Sequence, residues 1–167
     1  METIKILADM LCISAKTAPK AKGVDNIVTK VIYGDDKEKL AEKMDKIAVE
    51  CDHLGFARDA KGIRSAECVV LIGTKLGRMN LKVCGNCGYK NCAENEKNNS
   101  ICAFNPGDLG IAIGSAVSKA ADFRLDNRIM YTAGNAAKKL NMLGEQVKMI
   151  YAVPLSATGK NPFFDRT

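Results

Sequence analysis

Four cysteines within nineteen residues constrain this chain more than any other feature of its sequence. They are spaced C-x2-C-x4-C-x9-C, glycine follows each of the first two, and they are Cys84, Cys87, Cys92 and Cys102. Four thiolates this close together form a complete ligand set for a tetrahedral metal ion or for an iron–sulfur cluster. Glycine adopts backbone angles that are closed to other residues, so such a loop can wrap tightly around its metal. We therefore predict a metal centre in this segment.

The spacing leaves two kinds of centre open. C-x2-C-x4 also begins a zinc knuckle, a module that binds single-stranded nucleic acid. A knuckle, however, has histidine as its third ligand and a shorter final gap, whereas here Cys92 is third and nine residues separate it from Cys102. The chain's single histidine, His53, is far away, and Tyr89 is the one aromatic residue in the loop that could stack on a base. The pattern favours an iron–sulfur cluster, with a zinc-stabilised binding module as the alternative.

The composition is that of an ordinary globular protein. With 167 residues, of which 47% are apolar and 26% charged, we expect one domain over 1–167, with 74–106 as an inserted cysteine-rich loop. Seven cysteines, an odd number, without a signal-peptide pattern argue against a disulfide framework and predict a cytoplasmic protein. No apolar run approaches the ~20 residues of a membrane span. The formal charge of +6 is spread along the chain without a block, which is weak evidence for nucleic-acid binding.

Apolar periodicity alternates between helical and strand patterns along the chain. The nearly continuous apolar run at 67–73 predicts a central strand that is buried on both faces. We predict helices at 3–15, 35–54 with Gly55 as its cap, 108–123 and 126–143, and further strands at 27–33, 56–60 and 146–153, the last ended by Pro154. Helices that alternate with strands predict an α/β (α+β) fold in which the helices pack on a central mixed sheet.

Two further groups of small side chains are predicted to lie in the interior. Cys12, Cys51 and Cys68 fall in apolar stripes or in the buried strand, so we expect them to be core residues. Gly110 and Gly114 lie in an alanine-rich helix, where they would let another backbone or a flat ligand approach closely, and tight helix packing is the simpler of the two explanations.

The cysteine segment resembles a known cluster module. CGNCGYKNC followed by a later cysteine resembles the 4Fe-4S module of bacterial and archaeal electron-transfer and corrinoid-reducing proteins, which begins CGxCGxxxC and has a longer gap to its last cysteine. Nearly the whole chain also resembles a family of small uncharacterised proteins that contain a ferredoxin domain. The matching stretches are SAKTAPKAKGVDNI at 14–27, DLGIAIGSAVSKAAD at 108–122, DNRIMYTAG at 126–134 and PLSATGKNPFFDR at 154–166.

The beginning of the chain is similar to that of the flavin-dependent nitroreductases. The first helix, TAPKAKG at 17–23, a strand and a helix that reads EKLAEKM at 38–44 follow the order of their first elements. This resemblance implies a nitroreductase-like fold that holds FMN, with Lys16 and Lys20 as candidates for its phosphate by charge. It also implies a homodimer around the flavin.

Together, these patterns predict a cytoplasmic iron–sulfur redox protein with one 4Fe-4S cluster for electron transfer, coupled to a flavin if the nitroreductase resemblance holds. Its partner would be a redox protein or a small-molecule electron acceptor, with no membrane and no nucleic acid involved. If the protein is an enzyme, the resemblance implies an FMN-dependent oxidoreductase, whose metal site could be structural alone. The zinc-stabilised module, with nucleic acid as its ligand, remains the alternative.

Overall fold

Strand β2, Cys68–Lys75, forms the centre of the fold. The computed structural model describes residues 2–164, and in that range β2 pairs antiparallel with β1, Ile27–Ile32, on one side and with β4, Val147–Ser156, on the other. All residues of β2 except Lys75 are buried. A strand without polar alternation belongs in such a central position, because only there are both of its faces covered. The central strand predicted from the apolar run is confirmed.

Two layers of helices cover this sheet. Within the described range the six helices are α1 Glu2–Thr17, α2 Gly34–Glu50, α3 Leu54–Ser65, α4 Cys92–Lys97, α5 Phe104–Asp122 and α6 Tyr131–Lys139. A two-residue strand β3, Asp126–Asn127, pairs antiparallel with β4 and completes the strand order β1-β2-β4-β3. Alternate side chains of β2 enter two hydrophobic cores. Val69 and Leu71 pack under α2, α3 and α6, whereas Val70 and Ile72 pack under α1 and α5.

The helical connection between β1 and β2 is a hairpin of two helices where the sequence pattern predicted one. The backbone of Asp52 has a positive φ of 47°, and the His53 side chain accepts a 3.1 Å hydrogen bond from the N–H of Gly55, which caps α3. The predicted cap at Gly55 and the predicted strand at 56–60 are therefore wrong. Because the hairpin returns the chain to the end where β1 finished, β2 runs antiparallel to β1. The α/β class is confirmed, but the sheet is antiparallel throughout its described strands and is not mixed.

The predicted helix at 126–143 and the predicted end of the last strand also differ from the structure. Met130 forms a bridge to Ala152 of β4, so the helix begins only at Tyr131. Strand β4 continues through Pro154 to Ser156. The N–H of Ala152 donates to Met130, and residues two apart on a strand face the same edge. The nitrogen of Pro154 therefore faces the same edge of β4 as that of Ala152. The two-residue strand β3 offers no acceptor opposite Pro154, so its lack of an N–H breaks no hydrogen bond of the sheet.

Close backbone packing occurs at a glycine that the sequence pattern did not single out. A Cβ atom on Gly134 of α6 would lie 1.9 Å from the carbonyl oxygen of Ile150, whereas Gly110 and Gly114 of α5 have open space around them. Cys68 is fully buried as predicted and Cys12 is half-buried, but Cys51 is exposed, because α2 ends just before it.

Helices α1 to α6 include none that is long and apolar enough to cross a membrane. Residue 1 and residues 165–167 lie outside the described range, and with them the last two positions of the matching stretch at 154–166. The division of the chain into one domain with an inserted loop at 74–106 stays a prediction. Between the end of β2 and the start of α5, the chain adds no strand to the sheet.

Candidate metal centre

The four cysteines of the loop line one small cavity. The chain leaves β2 at Lys75, forms the short helix α4 from Cys92 and reaches Cys102 just before α5 begins. Cys84, Cys87, Cys92 and Cys102 all border the same cavity, which encloses about 10 Å³. Cys102 is buried, and the other three are half-buried. The fold thus brings the predicted ligands together, and their binding of a metal stays a prediction.

Local hydrogen bonds fix the positions of the second and third cysteines. The N–H of Gly88 donates to the Gly85 carbonyl at 2.9 Å, which closes a turn around Cys87, and Gly88 has the positive φ of 83° that favours glycine there. Asn91 caps α4 by accepting a 2.9 Å hydrogen bond from the N–H of Glu94. The Glu94 carboxylate in turn accepts from the N–H of Lys90 at 2.8 Å. This reciprocal capping holds Cys92 at the first position of α4.

Asn95 ties together the segments that carry the cysteines. The loop reads as polar and turn-prone, yet the Asn95 side chain is only 1% exposed. Its Oδ1 accepts from Nε of Arg78 at 3.0 Å, and its Nδ2 donates to the Ile101 carbonyl at 3.2 Å. The loop after β2, helix α4 and the segment before Cys102 therefore meet at one buried amide. Sequence reasoning missed this role, because nothing in the local pattern distinguishes Asn95 from its exposed neighbours.

A second amide joins the start of the loop to its end. Asn105, also 1% exposed, accepts a 3.2 Å hydrogen bond from the N–H of Gly77 through Oδ1, and its own N–H donates to the Cys102 carbonyl at 3.0 Å. Its Nδ2 has no hydrogen-bond partner among the described residues. The backbone of Cys102 is thus held directly against the first turn of α5.

The cavity combines four thiols with one positive charge. Arg78 borders it beside Met79, Leu81 and Phe104. A guanidinium at this position stabilises the negative charge that several thiolates would bring. Over residues 2–164, no group of three or more histidine, cysteine or acidic side chains is arranged to hold a single metal ion.

The two lysines predicted to meet a flavin phosphate are already engaged. The ammonium group of Lys20 donates to the carbonyls of Ala15, Lys16 and Ala18, and its side chain is 5% exposed. Lys16 donates to the Ile27 carbonyl at 2.7 Å and pairs with Asp25 at 2.6 Å. Three donors of Lys20 therefore cap the carboxyl end of α1, where a cation is favourable. A phosphate role for either lysine stays a prediction.

Lys20 also borders a cleft of about 440 Å³ beside the cysteine cavity, and the two share Ala103 and Phe104 as lining residues. The carboxylate of Asp108 also borders this cleft, where it accepts from the N–H of Ala21 at 3.2 Å. The cleft therefore presents a buried carboxylate beside a lysine whose ammonium group faces the helix.

A larger and more cationic cleft lies between α3 and the segment around Arg128. It encloses about 590 Å³ and is bordered by Arg58, Asp59, Lys61 and Arg128. The Asp59 carboxylate is almost fully buried and accepts a 2.7 Å hydrogen bond from the Thr132 hydroxyl. It also forms an ion pair with Arg58 at 2.8 Å and lies 4.0 Å from the guanidinium of Arg128. One buried carboxylate thus orients two guanidinium groups at the cleft. Sequence reasoning missed this group, because Arg128 and Thr132 lie about 70 residues after Arg58 and Asp59 in the chain.

Two comparisons of the sequence with known proteins each found a match. A family model described as "uncharacterized protein containing a ferredoxin domain" matches residues 98–166, a range that includes Cys102. An uncharacterised protein of Archaeoglobus fulgidus is 44% identical over 173 residues, which cover 99% of this chain and 92% of that relative. The chain therefore shares nearly its full length with an archaeal protein.

Solved structures show the same fold. A nitroreductase with bound FMN from Desulfitobacterium hafniense has a TM-score of 0.63 at 16% identity and covers 92% of this chain and 78% of its own. Nitroreductase CinD from Lactococcus lactis, in complex with nicotinic acid, has a TM-score of 0.64 at 13% identity. The match covers 96% of this chain and 84% of CinD. At such low identities the likeness concerns the fold alone. The nitroreductase-like fold predicted from the order of the first elements is confirmed.

Proposed function

The chain belongs to the family of uncharacterised proteins that contain a ferredoxin domain, and from this premise we propose that it is an iron–sulfur redox protein. Cys84, Cys87, Cys92 and Cys102 would hold one 4Fe-4S cluster. The observation that carries the proposal is that all four side chains border one cavity, although they come from different segments of the loop. A cluster held there would serve as a one-electron carrier.

The residues present fit such a cluster by their donor chemistry. Four cysteine thiolates are the usual ligand set of a 4Fe-4S cluster. Arg78 would offset part of their negative charge, and Asn95 keeps Arg78 in place. A cation beside a cluster favours its reduced, more negative state. The polar, exposed segment on the outside of the loop keeps the path to a partner short.

A bound flavin is the second part of the proposal, and the cationic cleft suits it better than Lys16 and Lys20. Its volume of about 590 Å³ lies within the ~300–1,000 Å³ of cofactor pockets. Arg58, Lys61 and Arg128 supply positive charge for a phosphate, whereas Lys20 is fully used by carbonyl groups. A flavin bound there would supply one- and two-electron chemistry. An FMN titration tests the assignment, because Lys61→Gln should weaken binding about tenfold and Lys16→Gln should leave it unchanged. Weaker FMN binding by Lys16→Gln, with no change in Lys61→Gln, would instead place the flavin phosphate at Lys16.

Metal and cofactor analysis of protein purified without oxygen tests the main proposal. We expect a brown protein with about four irons and four sulfides per chain. Cys87→Ala should lose the cluster, and Cys51→Ser, which changes an exposed cysteine outside the loop, should retain it. A Cys87→Ala protein with full iron and sulfide would refute the assignment.

A zinc-stabilised binding module is the second candidate, because four cysteine thiols that border one cavity are also a ligand set for a single zinc ion. This candidate expects a colourless protein with about one zinc per chain and salt-dependent binding of single-stranded nucleic acid. The same analysis of metal content decides between the two.

A further inference from the structure

We propose that the surface around the four cysteines is the docking site of an acidic electron-carrier protein. We call this surface the cluster face; it comprises the exposed side chains of residues 75–102. The inference rests on the proposed function, because it names the kind of partner with which the cluster would exchange electrons.

The cluster face carries a concentrated positive charge. Residues 75–102 hold five lysine and arginine side chains against two glutamates, so this short segment carries +3 of the chain's formal +6. Both glutamates are already engaged. Glu94 caps the N–H of Lys90 at 2.8 Å, and Glu96 pairs with Arg78 at 3.5 Å. The negative groups of the face are therefore satisfied within the loop, and a 4Fe-4S core with four thiolates, at about −2, would not reverse its sign.

The lysine side chains of the face contact no partner among residues 2–164. Lys75, Lys82, Lys90 and Lys97 are all exposed. Within residues 2–164, no side-chain hydrogen bond or ion pair involves any of these four ammonium groups. Lys16, Lys20 and Lys37, by contrast, donate to backbone carbonyls elsewhere in the chain. Free ammonium groups around one site attract an acidic partner and orient it during encounter.

The cluster face also exposes apolar side chains. Val83 is 93% exposed, Ile101 45% and Leu76 44%. Val83 directly precedes Cys84, and Ile101 directly precedes Cys102. Surfaces that combine exposed apolar side chains with charged ones are common in protein–protein contacts. A partner that covered Val83 and Ile101 would lie next to two of the predicted ligands.

The same positive charge would also attract nucleic acid, but the aromatic content of the face opposes that reading. Tyr89 is the one aromatic residue between Cys84 and Cys102, and its side chain is half-buried. Its hydroxyl accepts a 2.7 Å hydrogen bond from the hydroxyl of Ser100. Binding of single strands relies on exposed aromatic platforms. The face therefore suits an acidic protein better.

The chemistry at this face is the transfer of one electron. With a 4Fe-4S cluster held by the four cysteines, one electron would pass from the reduced iron–sulfur centre of the carrier to that cluster. No bond between heavy atoms would form or break, and no proton would have to move. The carrier would be oxidised by one electron and the cluster would be reduced by one.

A charge-reversal pair tests the proposal with a plant-type 2Fe-2S ferredoxin as the acidic probe. Lys82→Glu changes the cluster face, and Arg124→Glu makes the same change of charge at an exposed arginine that has no side-chain partner within residues 2–164. Arg124 lies just beyond α5, whose 19 residues separate it from the loop by about 28 Å. Calorimetry measures binding of the oxidised ferredoxin, and stopped-flow spectroscopy measures reduction by the reduced form.

We expect Lys82→Glu to weaken binding and slow reduction about tenfold and Arg124→Glu to change both less than about twofold. Both quantities should fall as salt is raised, and basic cytochrome c should not bind. Equal effects of the two variants, or binding that does not respond to salt, would overturn the docking site. Binding of a single-stranded oligonucleotide in place of ferredoxin would overturn it in favour of nucleic acid. Iron and sulfide are measured on the same samples. A protein that lacks both would refute the proposed iron–sulfur function, and this outcome is distinct from a failure of docking alone.

Discussion

Nε of Arg78 donates a 3.0 Å hydrogen bond to Oδ1 of Asn95, and this pair joins the two halves of the cysteine loop. Arg78 lies in the loop shortly after β2, whereas Asn95 lies on α4 one turn after Cys92. The same amide donates to the carbonyl of Ile101. One buried side chain thus fixes the first, middle and last segments of the loop relative to each other.

Asn95→Ala should therefore loosen the metal centre. The substitution leaves Nε of Arg78 and the Ile101 carbonyl without their hydrogen-bond partner, at a cost of about 1–3 kcal/mol. We expect the protein to lose its metal to a chelator several times faster than the wild type does. Asn98→Ala, an exposed position just beyond α4, is the control and should lose metal at the wild-type rate. Equal rates in both variants would contradict a joining role for Asn95.

Two glycine-to-alanine substitutions should have opposite effects on stability. A Cβ on Gly134 would collide with the Ile150 carbonyl at 1.9 Å, so Gly134→Ala should cost more than about 3 kcal/mol or prevent folding. Gly110 lies inside α5 with open space around it, and Gly110→Ala should add about 0.5–1 kcal/mol through helix propensity. Urea unfolding measures both changes. A stable Gly134→Ala protein would show that α6 does not pack on β4 this closely.

Asp25 should make the free energy of unfolding depend on pH in the acid range. Burial tends to raise the pKa of Asp25, but hydrogen bonds from Lys16 and Ile27 and the charges of Lys16 and Lys20 outweigh it and hold that pKa below 3.8. A depressed pKa means that the carboxylate stabilises the fold above its unfolded-state pKa, and that this contribution is lost as the pH falls below about 4.

Asp25→Asn should thus destabilise the protein at pH 7 by under about 1 kcal/mol, because the pair is partly exposed. The difference from the wild type should shrink between pH 4 and pH 3, as measured by urea unfolding at each pH. Asp9→Asn, at an exposed residue of α1, controls for the loss of one charge. A difference that does not vary with pH would refute the ion pair.

The cysteines outside the loop should differ in their reactivity. Burial raises the pKa of Cys68 to about 11, and burial also raises the pKa of Cys12. Cys51 is exposed at the end of α2. At pH 8 a thiol reagent should therefore modify Cys51 first in the metal-loaded protein and reach Cys68 only on unfolding. Cys51→Ser should remove the fast phase, and a fast phase that persisted would place the accessible thiol elsewhere.

Much of this fold follows from short-range patterns. The apolar run around Leu71 predicts the central strand, because only a two-sided burial tolerates such a sequence. The spacing from Cys84 to Cys102 predicts a shared site, since so few residues cannot separate four thiols widely. The proline of TAPKAKG marks the end of the first helix for a similarly local reason. In each case the deciding interaction lies within a few residues.

The tertiary structure decided the rest, because long-range contacts outweighed local preference. Pro154 stays inside β4, since its neighbour β3 is too short to need its N–H. Asn95 is buried where its neighbours are exposed, because Arg78 and Ile101 meet it from opposite sides of the loop. Asp59 orients Arg58 and Arg128 at a cleft only because α3 and the segment before α6 pack together. The sequence by itself therefore determined which residues could bind a metal, and the packing of distant segments decided which side chains hold them in place.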